Sequence, residues 1–112
     1  MIDIRNIEKD QVDSPGMILV PTDNKSKFRL GALYMTPGVQ SEIDSAELSV
    51  ALGRHISGDW GDVDVEDWQA NEEALKHSLR LLSVYHSANG IKFWIITERD
   101  RSSTTVLLPS EY

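Results

Sequence analysis

Residues 81–108 read LLSVYHSANGIKFWIITERDRSSTTVLL, and this stretch decides the fold. Leu81-Leu82-Ser83-Val84-Tyr85-His86 has the β-branched and aromatic content of a strand, and Asn89-Gly90 is a strong hairpin signal. Ile91 to Glu98 is the returning strand. Its Ile91, Phe93 and Ile95 share one face, and Lys92, Trp94 and Ile96 share the other. The lysine assigns the first set to the core. A polar turn from Arg99 to Ser103 leads to a third strand, Thr104–Leu108, which Pro109 ends because proline has no N–H to give a ladder. The reading is an antiparallel β-meander.

Upstream of the meander the apolar period changes from two to nearly four. Val65 to about Ser78 reads as a helix capped by Asp62 or Asp64, with Val65, Trp68, Leu75 and Leu79 as its apolar face. Glu66, Asp67, Glu72 and Glu73 then face water, and the acids near the helix start suit the positive end of its dipole. An earlier helix starts at Asp44, with Glu47 completing a capping-box-like pair, and Leu48, Leu52 and Ile56 make its core stripe. Before it, Thr36-Pro37 opens a short helical turn reaching about Ile43. Phe28–Met35 reads as one more strand. Residues 1–27 read as a leader in which Ser14-Pro15-Gly16 and Pro21–Asn24 bracket Met17–Val20, an edge-strand candidate. The expected fold is α+β: two to three short helices packed on an antiparallel β-meander with an additional N-terminal strand, in one domain over residues 28–112.

Composition narrows the function classes. A chain of 112 residues fits one domain. Without cysteine there are no disulfides, no thiolate chemistry and no cysteine-held metal or cluster. The first residues, MIDIRNIEKDQVD, lack the basic and apolar regions of a signal peptide, and no apolar run approaches the ~20 residues that span a bilayer. A cytoplasmic protein off the membrane is expected. The net charge of −7 is concentrated: residues 42–73 hold ten acids and one base, Arg54, so that segment is −9 and the remainder +2. Such a face repels phosphate backbones and excludes direct nucleic-acid binding through it, but it suits a protein partner with a basic surface.

Candidate site residues cluster between the two long helices. In Arg54-His55-Ile56-Ser57-Gly58-Asp59-Trp60-Gly61-Asp62, a histidine titrating near neutrality, oriented by Asp59 and beside a Trp60 stacking face, would make a small-molecule or nucleotide site or that of a minor enzyme. The competing and favoured reading is a structural turn, with Asp59 capping backbone N–H groups and Trp60 plugging the core. With Asp62, Asp64, Glu66 and Asp67, the loop is then a protein-contact surface rather than a catalytic centre. Metal binding is not expected, since His77 and His86 lie on different elements and Asp62–Glu66 lacks the glycine and distal glutamate of a calcium loop. There is no nucleophile elbow and no phosphate loop, so no catalytic residue and no cofactor is assigned. Glu98-Arg99-Asp100-Arg101 reads as a surface ion-pair cluster of little energetic weight.

Several segments together carry a resemblance. They are Leu30-Gly31 with Thr36-Pro37-Gly38, Arg54-His55 through Asp62, Asn71-Glu72 with Ala74-Leu75, Arg80–Ser83 with Tyr85, Trp94–Glu98, and Thr104–Pro109 with Glu111-Tyr112. Over residues 28–112 they resemble the small bacterial proteins labelled "plasmid-related protein", some of which carry a type I restriction–modification label. The first 27 residues depart from that pattern. The resemblance implies a plasmid or phage setting and no particular activity; a methyltransferase subunit would need a far larger cofactor-binding domain. Expected on these grounds is a non-enzymatic accessory protein of a mobile element, for example an inhibitor of a host defence complex of anti-CRISPR or anti-restriction type. A homodimer through Thr104–Leu108 or the leader strand is a further expectation.

Overall fold

A computed structural model describes residues 26–112. In chain order the elements are β1 (Ala32–Met35), α1 (Pro37–Glu42), α2 (Ser45–Ile56), α3 (Val65–His77), β2 (Leu81–His86), β3 (Lys92–Thr97) and β4 (Ser103–Leu107), followed by a 3-10 turn, Pro109–Glu111. The sheet order is β1-β4-β3-β2. The hairpin sets Val84 opposite Trp94, and β3 sets Ile95 opposite Val106, both antiparallel. β1 joins β4 in parallel, with Tyr34 opposite Thr105. The fold is α+β, three helices on a mixed, mostly antiparallel sheet. The Met17–Val20 run lies outside the described residues.

Two sequence expectations about the strands need correction. The strand read from Phe28 begins only at Ala32, because Gly31 adopts φ +67° and a side chain there would meet the Ser102 backbone at 2.4 Å. β4 is an interior strand, paired on both sides, so Thr104–Leu108 has no free edge to offer a second copy.

The main core lies between α1, α2 and one sheet face. Leu48 and Leu52 of the expected α2 stripe pack there with Met35, Phe93, Ile95 and Val106. Asp44 caps α2 by accepting from Ala46 N at 3.2 Å, but Glu47 reaches across to accept from Ala88 N in the hairpin at 2.5 Å instead of closing a capping box. The opposite sheet face is not a simple solvent face either. Ile96 and Leu107 are buried there, with Leu82, Trp94 and Tyr112 packed around them. The chain end brings this about: Tyr112 meets Trp94 edge-on at 5.7 Å. Glu111 anchors the turn by accepting from Gly38 N and Leu108 N, each at 2.9 Å, and from the Thr36 hydroxyl. Thr36 stands at the cap position of α1, yet its hydroxyl serves Glu111.

The third correction concerns α3. α3 does not bury the Val65, Trp68, Leu75, Leu79 stripe; its buried residues are Asn71 and Ala74. Asn71 donates to Leu82 O at 2.7 Å and accepts from Leu82 N at 3.0 Å, so its amide continues the ladder on the outer edge of β2. A strand edge left without partners under a helix would be costly. Turning Asn71 inward rotates the apolar stripe away, leaving Val65, Trp68 and Leu79 exposed while Leu75 stays partly packed.

Candidate functional site in the α2–α3 loop and on α3

Residues 57–64 leave α2 and run along β2. Gly61 forms a parallel bridge to Val84: Val84 N donates to Trp60 O at 3.1 Å, and Asp62 N donates to Val84 O at 2.7 Å. The approach is so close that a side chain at Gly61, whose φ is +76°, would stand 2.1 Å from Val84 O. The glycine therefore admits a strand, not a ligand. Together the loop and Asn71 cover the outer edge of β2 from Leu82 to Val84.

Trp60 is fully buried among Phe28, Ala74 and Leu81, and its indole N–H donates to Glu72 Oε2 at 2.8 Å. Asp59 is held by Arg54, which donates from Nε at 2.8 Å and from Nη2 at 3.3 Å, and by Gly61 N at 3.2 Å. That pairing with Arg54, above all, holds the Asp59 carboxyl below its usual range. Tyr85 closes the loop by donating its hydroxyl to Asp59 O at 2.6 Å, and the Arg54 guanidinium lies 4.7 Å from the Tyr85 ring centre.

His55 does not touch Asp59. It is fully buried, with Nδ1 2.6 Å from Ser83 Oγ and Nε2 2.9 Å from Thr97 Oγ1. The hydroxyl chain beyond it fixes the tautomer. Thr104 donates its only hydroxyl proton to Leu30 O at 2.7 Å, so the 2.7 Å bond between Thr97 and Thr104 must be donated by Thr97. Thr97 then accepts from His55 Nε2–H, and Nδ1 accepts from Ser83. Burial, with a smaller effect of Arg101, lowers the His55 pKa to about 3. A histidine titrating near neutrality, oriented by Asp59, is therefore not what this loop holds. The serine bonded to His55 is Ser83 rather than the neighbouring Ser57, and both members of that pair are fully buried.

The remaining sequence candidates form a surface. Asp62 pairs with His86, Oδ2 to Nδ1 at 2.8 Å. Asp64 caps α3 by accepting from Asp67 N at 2.8 Å, and Glu66 and Asp67 are exposed on the first turn. On the same turns of α3 stand Val65, 72% exposed, and Trp68, 36% exposed. They border an open cleft of about 250 Å³ with Val63, Asp64 and Gln69. The candidates thus separate: His55 and Trp60 support the loop from inside, while Asp62, Asp64, Glu66 and Asp67 are exposed, Asp64 among them bordering the apolar cleft. The apolar members were missed because hydrophobic periodicity assigned them to the core.

The Glu98–Arg101 turn is likewise more than a surface ion-pair cluster. Arg101 adopts φ +60° and donates to Leu79 O at 2.6 Å and Ala74 O at 3.0 Å, with its guanidinium 5.6 Å from the Phe28 ring centre. It satisfies carbonyls at the end of α3 and ties that helix to the sheet. The surface pair is Arg80–Glu98, at 3.2 Å, with Tyr112 accepting from Arg80 at 2.8 Å.

Among the described residues no three His, Cys, Asp or Glu side chains are grouped to hold a metal ion, and no helix is long and apolar enough to cross a membrane. Comparison with protein families, with curated proteins and with solved structures finds no match to the chain.

Proposed function

We propose that this is a small acidic, non-enzymatic accessory protein of a bacterial mobile element, acting by binding a protein partner that presents a basic surface. One observation carries the binding reading: α3 keeps Val65 and Trp68 on the outside, in the same exposed first turns as Asp64, Glu66 and Asp67 and just after Asp62. Exposed tryptophan beside a cleft is the composition of an interface anchor, and the acids supply steering toward a cationic partner. The plasmid or phage setting, the cytoplasmic location and the concrete form of an inhibitor of a DNA-binding defence complex draw on the family resemblance and the charge map. The competing small-molecule reading loses its support, because His55 and Trp60 have no exposed surface and Asp59 is already bonded.

The test is affinity purification from a bacterial host with three baits: the natural chain, Trp68→Ala, and a chain with lysine at positions 62, 66 and 67. Asp64 is left in place because it caps α3. A basic protein retained by the first bait and lost from both variants, and released from the first by salt, supports the reading. Equal retention on all three eliminates α3 as the contact surface.

A further inference from the structure

α3 is held differently from α2. Of its thirteen residues only Asn71 and Ala74 are buried, whereas α2, one residue shorter, buries Leu48, Ala51, Leu52, His55 and Ile56. Residues 65–70 are all exposed. A helix of this length draws most of its stability from an apolar face packed on the rest of the fold. α3 contributes one small apolar side chain, Ala74, and a partly packed Leu75 to the cluster around Trp60 and Leu81.

The other ties are polar. The Asn71 amide makes both bonds to Leu82, Glu72 accepts from the Trp60 indole at 2.8 Å, and Arg101 donates to Ala74 O at 3.0 Å and to Leu79 O at 2.6 Å. Ser78, which ends the helix, has φ +53°, a left-handed backbone that a residue with a Cβ adopts at a cost. Against these ties lie the outward N–H and C=O of Leu82, with Trp60 and Leu81 fully buried beside them. A strand donor, a strand acceptor and apolar neighbours are what an extended segment uses when it adds to a sheet edge. Here a side-chain amide occupies that place.

We infer that α3 is a cover: it opens as a unit while the sheet stays folded, and its opening uncovers the Leu82 edge of β2 together with Trp60 and Leu81. Elements with few buried apolar contacts are the ones that open below the free energy of global unfolding. The loop before α3 stays in place through Arg54, Tyr85 and the Gly61 bridge, so the uncovered edge is short and centred on Leu82. The inference is independent of the proposed partner-binding role, which uses the outer face of α3.

Hydrogen exchange on the natural full chain at rising, sub-denaturing urea tests this, because the Leu82 amide donates to Asn71 and so reports the cover directly. The expected result is that Leu82 and the α3 amides share one urea dependence, shallower than that of Ile95 in the interior strand β3. Without urea they should exchange about a hundredfold faster than Ile95 or more. The chain has no cysteine, which allows a second measurement. Ala74→Cys on α3 and Ala51→Cys on α2 place single thiols at sites 2% and 4% exposed, and the first should be alkylated about a hundredfold faster or more. Exchange of Leu82 and α3 in step with Ile95, or equal alkylation of the two thiols, overturns the cover. Either failure leaves the outer face of α3 in place as a contact surface, since that face needs no opening.

Discussion

His55 and Trp68 have exchanged the roles their chemistry would assign. The histidine is inside, neutral and committed to hydroxyls, and the large aromatic is outside. The consequence for pH follows from the sign of the shift. Between about pH 6.5 and 3 the unfolded chain protonates His55 and the folded chain does not, so folding stability falls as pH drops through that window. The slope from this one group approaches about 1.4 kcal/mol per pH unit. Urea unfolding at a series of pH values should show that slope in the natural chain and its loss in His55→Gln, which starts less stable but keeps hydrogen-bonding atoms. Identical slopes would remove His55 from the account. The two tryptophans give a second contrast: Trp60→Ala, in the core, should cost about 3–5 kcal/mol, and Trp68→Ala, at a site 36% exposed, clearly less, measured by denaturant midpoint. The sequence read Trp60 as a core plug, but neither the burial of His55 nor the exposure of Trp68 was legible in it. The partners of His55, Ser83 and Thr97, lie 28 and 42 positions away, and only the sheet register brings them to the ring.

Local elements were legible where one physical requirement dominated. The Asn89-Gly90 turn needed a positive φ and has +85° at Gly90, and the Leu48, Leu52, Ile56 stripe needed only a core to face. α3 was misread because two requirements competed. Hydrophobic burial favoured Trp68 and Val65 inward, but the free edge of β2 required an amide, and Asn71 supplies both bonds. Asn71→Ala should therefore destabilise the protein by about 2–3 kcal/mol by leaving Leu82 N–H and C=O without partners, a large effect for a residue on an acidic helix. Hydrogen exchange at the Leu82 amide should accelerate more in this variant than exchange at Ile95; an unchanged Leu82 amide would refute the edge-capping role. Glu111 makes the same kind of non-local contribution at the chain end. Glu111→Ala should cost about 1–3 kcal/mol through Gly38 N and Leu108 N, read by thermal unfolding at fixed pH, whereas a change within error would leave the turn merely resting on α1.

Over the whole molecule, acidic charge and exposed apolar side chains fall in one stretch of the chain. The −9 segment of residues 42–73, visible in the sequence, supplies α2, the loop and the first turns of α3. The sequence could not show that this acidic segment also exposes Val50, Val65 and Trp68, because exposure depends on which face each helix surrenders to the sheet. The segment's interior, from His55 to Trp60, is structural, and its exterior is the binding surface of the proposed function. The most direct test compares the natural chain with Trp68→Ala and with lysine at positions 62, 66 and 67 in affinity purification at matched stability and two salt concentrations. The account predicts a basic protein held only by the natural chain and shed at high salt. The same protein held equally by all three would contradict it.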